Sequence, residues 1–317
     1  MKRLAFVAAT LAVATTAFAQ YPDRPIKIIV PFGPGGFTDV AARILQKELA
    51  PALGQTIIIE NKPGAGSTIG TAEVAKARPD GYTLVMISTT HVISPHLYKT
   101  IPYDPLRDFT PVMKLAEGPY VLVVHPSLNV KNVSELIAAA KKEPGKIDYA
   151  SSGNGSAQHL VGALFTAMSG AKLNHVPYKG SNQAMNDVVG GQVKVSFVGV
   201  PNALPNLQNG KLKALGVSTR KRYAELPDVP TIEEGGVAGY DATVWLGLLA
   251  PPGTPRDVVD KISGEIAKVL SKPDAKKLMA SAGVDVATST PEEFGRLLQS
   301  ELDRWGKVVK ETGAVVN

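Results

Sequence analysis

Short apolar runs alternate with stretches of helical period along most of this chain. Residues 26–30, Ile-Lys-Ile-Ile-Val, are rich in β-branched side chains and read as a buried strand. The tight turn Pro31-Phe32-Gly33-Pro34-Gly35-Gly36 follows. Thr38 or Asp39 is then placed to cap a helix running through Ala41, Ala42, Ile44, Leu45 and Leu49. Residues 56–60 predict a second strand, and Asn61-Lys62-Pro63-Gly64-Ala65-Gly66 a second turn. Ser67 or Thr68 opens a second helix to about Ala77, and residues 82–87 predict a third strand. Alternation at this spacing means βαβ units with largely parallel strands.

The pattern restarts after Phe109. Strands are expected at 121–124, 148–150, 173–176, 193–198 and 212–217, with helices at 133–142 and 157–168 and between the later strands. Residues 243–249 predict one more apolar strand, ending at Pro251-Pro252-Gly253. Beyond Pro255 the pattern is helical, at 257–270, 275–282 and 291–312. The expected fold class is α/β, in two domains with mixed, mostly parallel sheets flanked by helices. Domain 1 is expected to be discontinuous, residues 20–122 plus 246–317, with domain 2, residues 123–245, inserted in it. The ligand cleft would lie between them, and the terminal helices would pack back onto domain 1.

The first residues follow a different pattern. Lys2 and Arg3 precede an uncharged run rich in Ala, Val and Thr, and Ala17-Phe18-Ala19 supplies a small-x-small cleavage site. Residues 1–19 therefore read as a signal peptide, cleaved near Ala19/Gln20. The apolar run is shorter than the ~20 residues a bilayer span needs. The chain has no cysteine, which excludes disulfides, thiol nucleophiles and Cys-rich metal sites. An exported protein of this length without disulfides relies on its core and fits a bacterial periplasm.

Charge narrows the partner class. The formal net charge is +6, two of those charges lie in the first three residues, and aromatics make up 6%. No run of five consecutive Lys/Arg interleaves with stacking aromatics, so nucleic acid is not an expected partner.

Three loops share one design of strand, glycine-rich turn and helix start: residues 32–39, 62–68 and 151–159. A helix start leaves backbone N–H groups unpaired and carries partial positive charge. Glycine lets a ligand approach that backbone closely. In open α/β sheets such loops sit at the carboxyl ends of strands, where ligands bind. Several converging starts can hold a carboxylate without a dedicated cation. Nucleotide chemistry fits poorly. Gly64-Ala65-Gly66 with Gly70 spaces its third glycine one position late, and Gly145-Lys146 and Gly210-Lys211 lack the following Ser or Thr. No Gly-x-Ser-x-Gly elbow or His-Glu-x-x-His pair occurs, so neither catalytic nor metal-binding residues are assigned and no cofactor is expected. Among the five histidines, His159 stands out because it lies just inside the helix after Ser156 and is placed to face a cleft.

Six blocks in order carry a family resemblance. They are Val30-Pro31-Phe32-Gly33-Pro34-Gly35-Gly36-Phe37-Thr38-Asp39 with Ala42-Arg43, Glu60-Asn61-Lys62-Pro63-Gly64-Ala65-Gly66, Pro79-Asp80-Gly81-Tyr82-Thr83, His175-Val176-Pro177-Tyr178-Lys179-Gly180, Leu226-Pro227-Asp228-Val229-Pro230-Thr231, and Ala250-Pro251-Pro252-Gly253-Thr254-Pro255. The chain resembles the substrate-binding proteins of the tripartite tricarboxylate transporter, often called the Bug family. The resemblance implies a type II periplasmic binding protein fold that closes like a flytrap on a mono-, di- or tricarboxylate. It implies delivery to the inner-membrane permease of such a transporter, or to a sensor protein, by a monomer that is not an enzyme. It implies a ligand lined by Phe32, Pro34, Gly35, Gly36, Phe37, Thr38 and Asp39, and by Gly64, Ala65 and Gly66. Ser88, Thr89 and His91 would line it further. From the second domain come Ser151, Gly153, Asn154, Gly155, Ser156 and His159, then Tyr178, Lys179 and Gly180, then Val200, Pro201 and Asn202. Phe37 departs from the small residue common in relatives, and either narrows the pocket or turns into packing. The competing reading is an exported α/β enzyme acting on a similar anion.

Overall fold

The computed structural model describes residues 21–312. The expected signal peptide, residues 1–19, and its cleavage point lie outside the described residues. The chain begins with β1 (Ile26–Val30), α1 (Phe37–Leu53), β2 (Ile57–Asn61), α2 (Thr68–Ala75), β3 (Thr83–Ser88), α3 (Thr90–Leu97) and β4 (Thr110–Gly118). There follow β5 (Tyr120–Val124), α4 (Val133–Lys142), β6 (Asp148–Ser151), α5 (Ala157–Ser169), β7 (Asn174–Pro177), α6 (Ser181–Val189), β8 (Val195–Gly199), α7 (Val200–Gln208) and β9 (Lys213–Val217). The chain ends through β10 (Val244–Ala250), α8 (Arg256–Ser271), α9 (Pro273–Ser281), β11 (Asp285–Val286) and α10 (Pro291–Thr312).

Two sheets form, in the orders β11-β4-β10-β3-β1-β2 and β7-β6-β8-β5-β9. In the first, β1 pairs in parallel with β2 and β3, while β10 runs antiparallel between β3 and β4. In the second, β6 pairs in parallel with β7 and β8, while β5 runs antiparallel between β8 and β9. The sheets are thus mixed: β10 and the short β11 oppose β1 to β4 in the first, and β5 opposes its neighbours in the second.

The expected boundaries at 122/123 and 245/246 need correction. They fall inside β5 and β10, and each of these strands belongs whole to one sheet. Tyr120 already pairs with Gly199, and Val244 already pairs with Gly118. Each of these apolar runs forms one strand that pairs along its length within a single sheet. The breaks lie instead at Pro119, which has no N–H to donate, and at Asp241-Ala242-Thr243.

These pairings fix how the lobes face each other. β4 runs in the same direction as β1 to β3, so Gly118 lies at their carboxyl edge. Tyr120 opposite Gly199 places the start of β5 at the carboxyl edge of β6 and β8. The return does the same, with β9 ending at Val217 and Leu246 of β10 opposite Ser88 at the end of β3. Both crossings therefore join carboxyl edge to carboxyl edge. Ser218 ties them together. Its N–H donates to Tyr120 O at 2.8 Å, and its hydroxyl accepts from Tyr120 N–H and donates to Ala242 O, each at 2.9 Å. Ala242 N–H returns a bond to Ser218 O at 2.8 Å.

The core follows the same plan. One apolar cluster runs continuously through both lobes, from Val85 and Ile87 of β3 to Leu122 of β5 and Phe197 of β8. It is covered by α10, whose Phe294, Leu298, Trp305, Val308 and Val309 repeat at helical spacing and are buried. α10 packs on α3 and β4 and reaches α5 of the second lobe, so the terminal helix bridges both. A second cluster lies under α1, α8 and α9, and a third under α6 and α7.

Candidate functional site

The turn after β1 is built around a spent carboxylate. Asp39 is 2% exposed and accepts from Gly35 N–H at 2.9 Å, Arg43 Nε at 3.0 Å and Asn61 Nδ2 at 2.8 Å. Asn61 Nδ2 also donates to Phe32 O at 3.1 Å. Burial works to raise the Asp39 pKa, but the bonds from Arg43, Gly35 and Asn61 together hold it below the usual carboxylate range. Asp39 was expected to line the ligand; its oxygens instead fasten the loop, and its charge is answered by Arg43. Gly35 takes φ +76°, a left-handed conformation that glycine adopts freely. The helix cap is Gly36 rather than Thr38 or Asp39, and it offers no side-chain cap. Among the described residues, the N–H groups of Phe37, Thr38 and Asp39 have no hydrogen-bond partner. Pro34 is exposed, Thr38 is buried, and Phe32 and Phe37 pack partly against the first-lobe core. The side chain of Phe37 thus turns at least in part into packing.

The second loop stores backbone strain. Ala65, Gly66 and Ser67 are left-handed in succession at φ 44°, 61° and 77°, after Gly64 at 137°. For Ala and Ser this conformation costs free energy and persists only where the surroundings impose it. Here Thr68 Oγ1 donates to Ala65 O, Thr71 Oγ1 to Ser67 O and Ser94 Oγ to Gly66 O, each at 2.8 Å. A Cβ on Gly66 would lie 2.8 Å from the Tyr98 hydroxyl. Ser94 and Tyr98 belong to α3 and its cap, an element the sequence reading missed because Pro95 interrupts it.

At the end of β3, Ser88 Oγ engages Thr90, and Thr89 Oγ1 accepts from Trp245 N–H at 3.1 Å. His91 does not line a cleft, contrary to expectation. It is fully buried, donates from Nε2 to Pro105 O at 2.8 Å and stacks on Tyr103. One residue further along the helix, the side chain has rotated into the core. Burial pushes its pKa down to about 4.

The second lobe repeats the design. Gly153 and Gly155 are left-handed at φ 125° and 76°. Ser156 caps α5, accepting from His159 N–H at 3.2 Å. Gln158 Oε1 accepts from Ser152 N–H at 2.8 Å. Ser151 Oγ lies 2.6 Å from His175 Nε2, and the rings of His159 and His175 stack with centroids 3.9 Å apart. Asn154 is exposed at the loop tip. Beyond β7, Tyr178 donates to Asp187 Oδ2 at 2.7 Å, and burial together with that carboxylate pushes its pKa up to about 12. Lys179 is exposed, and Gly180 caps α6 without a side-chain bond. Val200, Pro201 and Asn202 open α7, and Pro201 meets the α9–β11 turn, where a Cβ on Gly283 would come within 2.3 Å of it.

Helix starts from β1, β2 and β3 and from β6, β7 and β8 therefore stand at the two carboxyl edges that the crossings join. Their cations are mostly engaged: Arg43 with Asp39, Lys62 with Glu60 and Glu73. The arrangement suits an anion held by backbone N–H groups and dipoles. Among the described residues, no three His, Asp or Glu side chains converge as a metal-ligand set. Sequence reasoning missed Arg43 and Asn61 as loop fasteners, His175 as the partner of His159, and Ser218 at the crossings. The four-residue spacing of Asp39 and Arg43 was the one available signal.

Relatives carry the same architecture. The Bordetella pertussis protein BugT is 37% identical over 98% of this chain and 95% of its own length. The structure of R. palustris Rpa4515 with adipate is 35% identical, covers 93% of this chain and 99% of that one, and superposes with a TM-score of 0.87. MatC from Rhodopseudomonas palustris with bound malate is 34% identical over 91% of this chain and all of that one, with a TM-score of 0.82. The fold is that of type II periplasmic binding proteins. A profile described as "Tripartite tricarboxylate transporter family receptor" matches residues 41–314. The chain belongs to the tripartite tricarboxylate transporter receptor family, the Bug proteins.

Proposed function

We propose that this protein captures a small organic carboxylate in the periplasm and delivers it to the permease of a tripartite tricarboxylate-type transporter. The carrying observation is the set of glycine-bearing helix starts at two carboxyl edges that both crossings bring together. The adipate and malate held by two relatives support the ligand class. Residues 32–39 and 64–66 of the first lobe would take one carboxylate. Ser88 and Thr89, with residues 151–159, 178–180 and 200–202 of the second lobe, would receive the rest of the ligand. His91 is withdrawn from this set, and Asp39 serves it indirectly by shaping the loop.

The protein would act by binding and release, as a monomer, without cofactor or chemical turnover. Export would follow cleavage near Ala19/Gln20. Native mass spectrometry of freshly purified protein, followed by calorimetry with adipate and malate, tests the reading. A co-purifying or added carboxylate should bind at or near micromolar affinity and be recovered unchanged. A tightest ligand that is a neutral sugar, or turnover of the acid, would overturn it.

A further inference from the structure

At the start of α5 in the second lobe, the His159 side chain uses only half of its hydrogen bonding among the described residues. His159 is the third residue of α5, and its Nδ1 lies 3.2 Å from Gly155 N–H. An amide N–H only donates, so Nδ1 holds its lone pair and the proton of the neutral ring sits on Nε2. The residue is 9% exposed, and among the described residues Nε2 has no hydrogen-bond partner, yet it is not sealed from solvent.

The ring is also held in plane. His175 of β7 stacks against it at 3.9 Å with 10° between the planes. Ser151 Oγ holds His175 Nε2 at 2.6 Å, and Tyr149 of β6 packs against His175 at 5.0 Å while donating to His159 O at 3.1 Å. The next titratable groups outward are Tyr178, bonded to Asp187, and Asp148, bonded to Asn174. No described carboxylate pairs with either ring. Burial lowers the His159 pKa to about 4. Burial, with His159 adding to it, lowers that of His175 to about 3. Both rings are neutral at ordinary pH.

We propose that His159 Nε2–H is the second lobe's directional donor to a ligand carboxylate, with His175 as the positioning residue that fixes its plane. This rests on the carboxylate-capture reading above and adds to it how the second lobe grips. The donor joins the N–H groups of Ala157 and Gln158 at the same helix start, which have no partner among the described residues. Lys179, the cation a charge-based account would choose, is an exposed, strongly hydrated point charge on a flexible stem.

The test combines imidazole nitrogen NMR with calorimetry, using adipate and malate as probes. In the free protein, His159 should show an unprotonated Nδ1 and a protonated Nε2, and the Nε2 proton should move on adding whichever acid binds. His159→Phe, which keeps a stacking face, should weaken binding about 10- to 100-fold, as loss of a hydrogen bond to a charged group implies. His159→Gln should recover part of that loss, and Lys179→Ala should lose less than His159→Phe. His175→Ala should shift the His159 resonances and weaken binding, and His175→Phe should restore both. Affinity should stay flat between about pH 6 and 8, where a charged histidine donor would titrate. A protonated Nδ1 in the free protein overturns the proposal without ligand. Wild-type affinity in His159→Phe overturns it while leaving carboxylate capture standing. Failure of wild-type protein to bind either acid overturns both.

Discussion

Gly36→Asp should separate binding from stability in opposite directions. Gly36 has φ −73° and ψ 161°, which any residue adopts, and a Cβ there would meet nothing nearer than Gly33 O at 3.5 Å. The substitution therefore introduces no backbone strain. An aspartate at this cap can accept from the unpaired N–H groups of the first turn, and it complements the helix dipole. Aspartate caps better than glycine by a few tenths of a kcal/mol, and the dipole adds about 0.3–1 kcal/mol. Unfolding should be unchanged or raised by about 1–2 °C. A bound carboxylate would meet the opposite effect. Its N–H partners would be occupied, and two like charges about 4 Å apart at an effective dielectric near 20 repel by about 4 kcal/mol. That is close to three orders of magnitude, enough to turn a micromolar binder into a millimolar one. Gly36→Asn supplies the same cap without the charge and should fall between. Calorimetry with adipate and malate, beside melting curves without ligand, decides. Unaltered affinity in a folded Gly36→Asp protein would refute the backbone grip.

Ser218→Ala removes the hydroxyl that joins the two crossings and leaves the half-buried Tyr120 N–H and buried Ala242 O each one bond short. It should lower unfolding free energy by about 2–4 kcal/mol in urea titrations, and loss below about 0.5 kcal/mol would count against this tie. Asp39 is held below its unfolded pKa, so its stabilisation is full above the unfolded value of about 3.9 and is lost as pH falls through the folded-state value. The deficit of Asp39→Asn in urea should therefore be greatest near neutral pH and shrink in acid; a deficit that grows in acid would refute the sign. Closure on ligand should turn about Gly118-Pro119-Tyr120 and Asp241-Ala242-Thr243, and small-angle scattering should give a smaller radius of gyration with saturating adipate or malate. An unchanged profile in a protein that binds the acid would argue against hinge motion.

The βα alternation was legible because β-branched runs such as residues 26–30 and glycine turns at helix starts are local signals. β4 was not: Thr110–Gly118 carries Pro111, Lys114 and Glu117 among its apolar residues, and its strand form rests on pairing with β10 and β11. α3 was hidden by Pro95, and it matters here because Ser94 holds the strained loop. The glycine loops were recognisable by composition, but which polar groups were already spent was not. Asp39 is consumed by partners at positions 35, 43 and 61, and His91 by a carbonyl fourteen residues away. Such bookkeeping depends on where side chains point once the sheet is assembled. His175 shows the same limit, since its partner His159 lies on another element.

The late position of β10 has a consequence for how the chain is made. β10 fills the middle of the first sheet, between β3 and β4, yet it follows more than a hundred residues that build the other lobe. A chain emerging from its N-terminus holds β3 and β4 with open facing edges until that segment arrives. Unpaired edges of this kind invite pairing with other chains, and contacts of such long sequence separation form slowly. The second lobe has all its strands in one continuous stretch and can close first. The first lobe is then finished around it, so a polypeptide halted before Val244 would expose β3 and β4 and be the aggregation-prone species during synthesis and export.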